Sequence, residues 1–116
     1  MADTLKVTFN ESTNTSTEHE CVPTNVDSTK TVLSIIVCNT DASDDAEFDL
    51  YMFGTPTGGS SNNFRIYNNQ PLPALSTFIH NSKIIVMPNE ELRFIQSGST
   101  TASPVHITTS YLDQTT

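Results

Sequence analysis

The run Thr31-Val-Leu-Ser-Ile-Ile-Val-Cys38 restricts this chain more than any other stretch. β-Branched side chains lose freedom against a helical turn but sit well on a pleated surface, so the run predicts a strand. Strict alternation puts Leu33, Ile35 and Val37 on one face and Val32, Ser34, Ile36 and Cys38 on the other. Both faces are mostly apolar. The strand is therefore expected either to be central and covered twice or to lie against a neighbouring subunit.

A polar bend at residues 39–46 leads into a second strand at 47–53. There Phe48, Leu50 and Met52 point one way and Asp49, Tyr51 and Phe53 the other, with Asp49 marking the outward face. Shorter strands are expected at residues 5–9, 19–22, 64–67, 76–79, 83–87, 91–96 and 105–112. Leu92 and Phe94 should face inward, and Val105, Ile107 and Tyr111 should share a face. Pro23 ends the strand at 19–22, turn chemistry occupies residues 25–28, and Pro88-Asn89 is a turn signal. Residues 54–63 and the Asn68-Asn69 pair close the intervening segments. About eight or nine short strands with turns every 8–12 residues or so predict an all-β chain, an antiparallel β-sandwich of jelly-roll-like form. Residues 1–17 are expected to form an N-terminal arm, a strand and a polar loop, and residues 18–116 the sandwich domain.

Composition narrows the function. Five Lys and Arg against 13 Asp and Glu give a net charge of −8, and the cations are scattered, so no nucleic-acid partner is expected. No apolar stretch reaches the roughly 20 residues of a membrane-spanning helix, so no membrane partner is expected either. The first residues lack a basic start followed by an apolar core, so no secretory signal is read and Cys21 and Cys38 are expected as reduced thiols.

Catalytic and metal-binding motifs are scarce. No Cys-x-x-Cys pair occurs, and His19, His80 and His106 are isolated. Asp41, Asp44, Asp45, Glu47 and Asp49 form the densest oxygen cluster, which is read as a solvated acidic bend because the glycine and terminal glutamate of a calcium loop are missing. The stretch from Gly54 to Ser61 has no following Gly-Lys-Ser to bind phosphate, and no serine sits in a Gly-x-Ser-x-Gly elbow. The chain is expected to be no enzyme and to use no metal or cofactor.

Two sets of residues remain as candidates for an interface. Leu5, Val7 and Phe9 form an apolar face on a short strand, read equally as an ordinary edge or as an arm adding to a neighbour's sheet. Tyr51 and Phe53 stand on the polar-marked side of their strand, where another subunit is expected to cover them. With Tyr67 they are alternatively a platform for stacking sugars.

Several runs carry a family resemblance. Cys21-Val-Pro23, residues 31–41, Phe48-Asp-Leu-Tyr-Met52, Leu72-Pro-Ala-Leu-Ser-Thr77 and Ile84-Ile-Val-Met-Pro-Asn-Glu-Glu-Leu-Arg93 resemble small virion structural proteins of tailed bacteriophages, of β-sandwich type. The resemblance covers residues 21–112 and departs at Pro88-Asn89-Glu90, where that family has Gly and then Asp after Pro, and in the added strand at 5–9. It implies a structural component of the virion, made in the host bacterial cytoplasm. A capsid decoration or cement protein is the first expectation, and a tail, neck or fibre accessory protein the second. The implied partners are other virion proteins, a major capsid or tail protein, and further copies of the chain in a homo-oligomer. From a different class, a carbohydrate-binding module recognising a host surface is the rival reading.

Overall fold

A computed structural model describes residues 2–24 and 26–115. Asn25, the first residue of the expected turn at 25–28, lies outside the described residues. Among the described residues there are nine strands: β1 (Ala2–Ser12), β2 (Glu18–Glu20), β3 (Ser28–Asn39), β4 (Ala46–Gly54), β5 (Asn62–Leu72), β6 (Thr77–His80), β7 (Ile84–Val86), β8 (Glu91–Ser97) and β9 (Val105–Thr115). None of the described residues forms a helix long and apolar enough to cross a membrane.

The strands make two antiparallel sheets. One has the order β1-β9-β3-β6 with β7 beside β6 on β3, and the other β2-β8-β4-β5. The pairings nest: β1 with β9, β2 with β8, β3 with β6 and β7, and β4 with β5. A long hairpin rolled over on itself produces this nesting, and β3 against β9 and β4 against β8 then knit each sheet together. The result is the jelly-roll sandwich expected from strand number and spacing.

The core lies between the sheets. Val32, Ile35, Val37, Val105, Ile107 and Tyr111 from one side meet Phe48, Leu50, Leu72, Leu92 and Phe94 from the other. Phe48 stacks on Phe94 with centroids 5.2 Å apart and meets Phe78 edge-on at 5.3 Å. Cys21 is fully buried beside this cluster, where desolvation pushes its thiol pKa up to about 12, and both cysteines are free.

The strand at 31–38 does not keep one apolar face. Val32 pairs with Tyr111 and Ser34 with Ser110, so Leu33 is an extra residue without a partner, a β-bulge. Ahead of the bulge Ser28, Lys30 and Val32 point inward, and after it Ile35, Val37 and Asn39 do. Leu33 is therefore half-buried instead of part of the core, and Met52 at the margin of β4 is likewise half-buried. Lys30, 2% exposed, is held by Nζ donating to Ser28 Oγ at 2.8 Å.

Within the chain β1 lies as an edge strand. The described part of residues 1–17 pairs with β9 at every position from Ala2↔Thr115 to Ser12↔Val105, as the edge of the five-stranded sheet. The following loop is pinned as well, with Asn14 Oδ1 accepting from the backbone N–H groups of Ser16 and Thr17, each at 3.0 Å. The polar side of β1 turns inward. Lys6 Nζ meets Asp113 Oδ2 at 2.9 Å, Thr8 donates to the Cys21 carbonyl, Asn10 donates to the Glu20 carbonyl at 3.0 Å, and Ser12 donates to Gln96 Oε1 at 3.0 Å. The physical reason is that β2, facing it, is three residues long and leaves carbonyls that need donors.

β5 also runs further than its first residues suggest. It continues through Asn68-Asn69 because the two stand opposite the single residue Asp49, a bulge in β5 with Asn69 in a left-handed conformation (φ 51°), and Pro71 is tolerated because β5 is an edge strand. At residues 87–90 the Glu90 N–H bonds the Met87 carbonyl at 3.0 Å, with Pro88 and then Asn89 (φ 69°) at the centre. That is a type II turn, and its second central position suits Gly or Asn. Residues 73–76 repeat the arrangement with Leu75 at φ 59°.

Asp41 organises the acidic bend. Its Oδ1 accepts the backbone N–H groups of Ser43 and Asp44, both at 2.9 Å, and its Oδ2 accepts that of Ser103 at 2.9 Å. These bonds, the one from Ser103 foremost, hold its carboxyl well below the usual carboxylate range.

Three outcomes follow from this architecture. Ile35→Ala, at a site that is fully enclosed, should destabilise the protein by about 2–5 kcal/mol in denaturant unfolding. Leu75→Gly should raise the melting temperature by up to a few degrees, since an exposed leucine loses no core contact and sheds a left-handed strain of about 1–2 kcal/mol, part of which glycine's entropy offsets. Because the Asp41 pKa is lowered on folding, its stabilisation is full above the unfolded value of about 3.9 and drains away as pH falls toward the folded value. Asp41→Asn should therefore be less stable at neutral pH and show a shallower loss of melting temperature below about pH 4.

Candidate functional site

Alternation decides what each sheet shows on its outside. On β9 the odd residues 105–113 are buried, so the even ones face out, and cross-strand partners share their face. Leu5, Val7 and Phe9 pair with Leu112, Ser110 and Thr108, so all three point away from the core. Leu5 and Phe9 are each 74% exposed.

The register extends these positions into rows across the sheet. One row is Leu5, Leu112, Thr31 and Ile85. Another is Phe9, Thr108, Ile36 and Ile79. Between them lie Val7, Ser110 and Ser34, and no charged residue occurs in the three rows. Exposed large apolar side chains thus stand on β1, β3, β6 and β7 of one face, where single scattered ones would be unremarkable. The rows are bounded at one end by Asp3 and Gln114 and at the other by Glu11, His106, Cys38 and Thr77. Glu11 Oε1 lies 3.3 Å from His106 Nε2, and Cys38 is half-buried there.

Sequence reasoning found the β1 part of this surface and missed Ile36, Ile79 and Ile85. Ile36 sits next to the buried Ile35, and hydrophobicity alone does not separate them. A signal existed in the double apolar face of residues 31–38, whose second side beyond the bulge, Ser34, Ile36 and Cys38, is the outer one.

The outer face of the four-stranded sheet is of another kind. Tyr51 and Asp49 do face outward, as their pairing with Arg93 and Ile95 requires, yet Tyr51 is only 4% exposed. The Arg65 guanidinium lies over its ring at 4.8 Å, and its hydroxyl donates to the Glu18 carboxylate. Desolvation, followed by the Glu18 bond, pushes the Tyr51 phenol well above its ordinary range. Arg93 pairs with Glu91 and lies 3.4 Å from Glu18 Oε2. The aromatic ring is thus roofed by ion-paired side chains of its own sheet, and no second subunit is needed to cover it. Phe53, 36% exposed, remains partly open at the strand end.

A sugar platform of Tyr51, Phe53 and Tyr67 is not assembled. Tyr67 packs inward, 4.9 Å from Phe78, and its hydroxyl bonds His80 Nδ1 at 2.7 Å. A polar groove of about 370 Å³ runs past Glu18, Asp49, Tyr51, Asn63, Arg65 and Gln96, with the Tyr51 ring face covered. The acidic cluster does not converge: Asp41 binds three backbone N–H groups, Asp45 Oδ1 accepts from Ala74 N at 3.0 Å, and Asp49 Oδ1 accepts from Asn69 N at 2.7 Å. Among the described residues no group of three or more His, Cys, Asp or Glu is placed to hold a metal ion.

No protein-family model matches the chain, and no curated protein matches it. Solved structures do. The chain is similar to one from the T13 IBDV viral particle, with TM-score 0.53 and 8% identity, covering 97% of this chain and 31% of that one. It is similar to one from the infectious bursal disease virus VP2 subviral particle, with TM-score 0.50 and 9% identity, covering 97% and 33%. A CBM22-1 xylan-binding domain from Paenibacillus barcinonensis Xyn10C aligns with TM-score 0.47 and 11% identity, covering 96% of this chain and 81% of that one. This chain spans about a third of the length of the viral chains, and at these identities the viral likeness establishes a shared β-sandwich fold.

Proposed function

We propose that this chain is a non-enzymatic structural component of a bacteriophage virion, a capsid decoration protein that joins neighbouring subunits through the outer face of its five-stranded sheet. The observation that carries the reading is the uncharged pair of apolar rows on that face, running from Leu5 and Phe9 on β1 to Ile79 and Ile85 on β6 and β7. A face left in water with several large aliphatic side chains marks a surface built to be covered. The likeness of fold to chains of infectious bursal disease virus particles supports a particle-building role, and the sequence resemblance supports the phage assignment. The carbohydrate-binding reading has less behind it, because Tyr51 is roofed and Tyr67 is turned inward.

The interface assigned by this reading is Leu5, Val7 and Phe9 with Ile36, Ile79 and Ile85, and Tyr51 is not part of it. Phe9→Lys combined with Ile79→Lys should leave a folded protein, since both side chains are exposed in the isolated chain. Quantitative mass spectrometry of purified particles should then find the parent in many copies and the double variant reduced at least about tenfold, as expected when interface anchors are lost. Incorporation of the variant at the parental copy number would sink the reading.

A further inference from the structure

We infer that the occupant of this face is the same face of a second copy of the chain, related by a two-fold axis lying along the Val7–Ser110–Ser34 row. The inference rests on the reading of the face as an assembly surface and adds which partner meets it and in what register.

Three observations point to a second copy. The first is the arrangement of the rows. A two-fold rotation about the central row lays the Leu5 row of one copy on the Phe9 row of the other, and the reverse, so Leu5 meets Phe9 and Ile85 meets Ile79 at the two edges, leucine or isoleucine meets threonine between them, and serine meets serine on the axis. In this arrangement Leu112 lies over Thr108 and Ile85 over Ile79, with sheets about 10 Å apart as in any face-to-face packing.

The second is charge. The molecule carries −8, and two such copies repel over most of their surfaces. The three central rows contain no charge, so this is the face on which two copies approach without burying an ionised group. The rotation does bring Asp3 of one copy toward the Glu11 and His106 end of the other, at the rim where solvent screens it.

The third is area. From Asp3 to Glu11 at about 3.3 Å per residue, across four strand positions about 4.8 Å wide, the face outlines about 500 Å². Two copies together then bury about 1,000 Å², which reaches the lower bound of a specific interface.

Sedimentation velocity on the full-length protein tests this without any particle. The expected result is a monomer–dimer equilibrium that tightens as salt is raised, because screening relieves the repulsion between the two charged copies. Ile36→Lys and Ile79→Lys, each placing a charge on the face far from the β1 edge, should weaken the dimer at least about tenfold while leaving the melting temperature near that of the parent. The register is read separately with spin labels in a Cys38→Ser background. Labels at Ser110→Cys should lie close together across the axis, whereas labels at Thr57→Cys, in the loop after β4, should be far apart. A protein that stays monomeric at every salt concentration overturns the inference. So does a dimer that survives both lysine variants, or one in which the Ser110 labels stay apart. Lysine variants that stay dimeric yet are lost from particles would count against this inference alone, and variants that lose the dimer yet incorporate normally would count against the proposed function alone.

Discussion

The pairing of β3 with β9 is the constraint on which the rest of the molecule depends. It joins the two longest central strands of the five-stranded sheet and supplies the floor of the core. The bulge at Leu33 allows one continuous pairing to serve two different environments. Beyond it Ile35 and Val37 bury aliphatic mass against Phe48 and Phe94, while ahead of it Ser28 and Lys30 enter a polar end of the sandwich beside Asp113. Without the extra residue one half of the strand would turn its inward set to solvent, because a one-residue slip in a period of two exchanges the faces.

Partners spread along its length explain why β1 is oriented as it is. Lys6, Thr8, Asn10 and Ser12 face inward, and each finds a partner: Asp113, the Cys21 and Glu20 carbonyls, and Gln96. These bonds fix the inward set of β1, and period-two alternation turns the other set outward. The consequence is that Leu5, Val7 and Phe9 emerge on the outer face. The apolar outer face is thus produced by the same hydrogen bonds that close the edge of the sandwich.

The two outer faces then divide the roles between them. On the four-stranded sheet, Arg65, Arg93, Glu18 and Glu91 cover the one large ring that points outward, and the surface is charged and self-contained. On the five-stranded sheet no charge interrupts the aliphatic rows. An acidic protein that confines its uncharged area to one sheet has one face on which association is not opposed by its own field.

By itself the sequence determined the all-β class, the antiparallel sandwich, most strand positions and the inward set Phe48, Leu50, Leu92, Phe94, Val105, Ile107 and Tyr111, because period-two alternation and turn chemistry are local properties. It also marked Leu5, Val7 and Phe9 as a surface in need of explanation. Other features were settled by partners distant in the chain. Leu33 is a bulge because β9 offers it no opposite residue, and Asn68-Asn69 lie within a strand because Asp49 of β4 stands opposite the two of them. Tyr51 is covered because Arg65 and Glu18 arrive from two other strands. The rows that carry Ile36, Ile79 and Ile85 to the side of Phe9 and Leu5 exist only once β6, β7, β3, β9 and β1 are hydrogen-bonded side by side. Which residues share a face across strands is a matter of register, and register is fixed by packing between segments far apart in sequence.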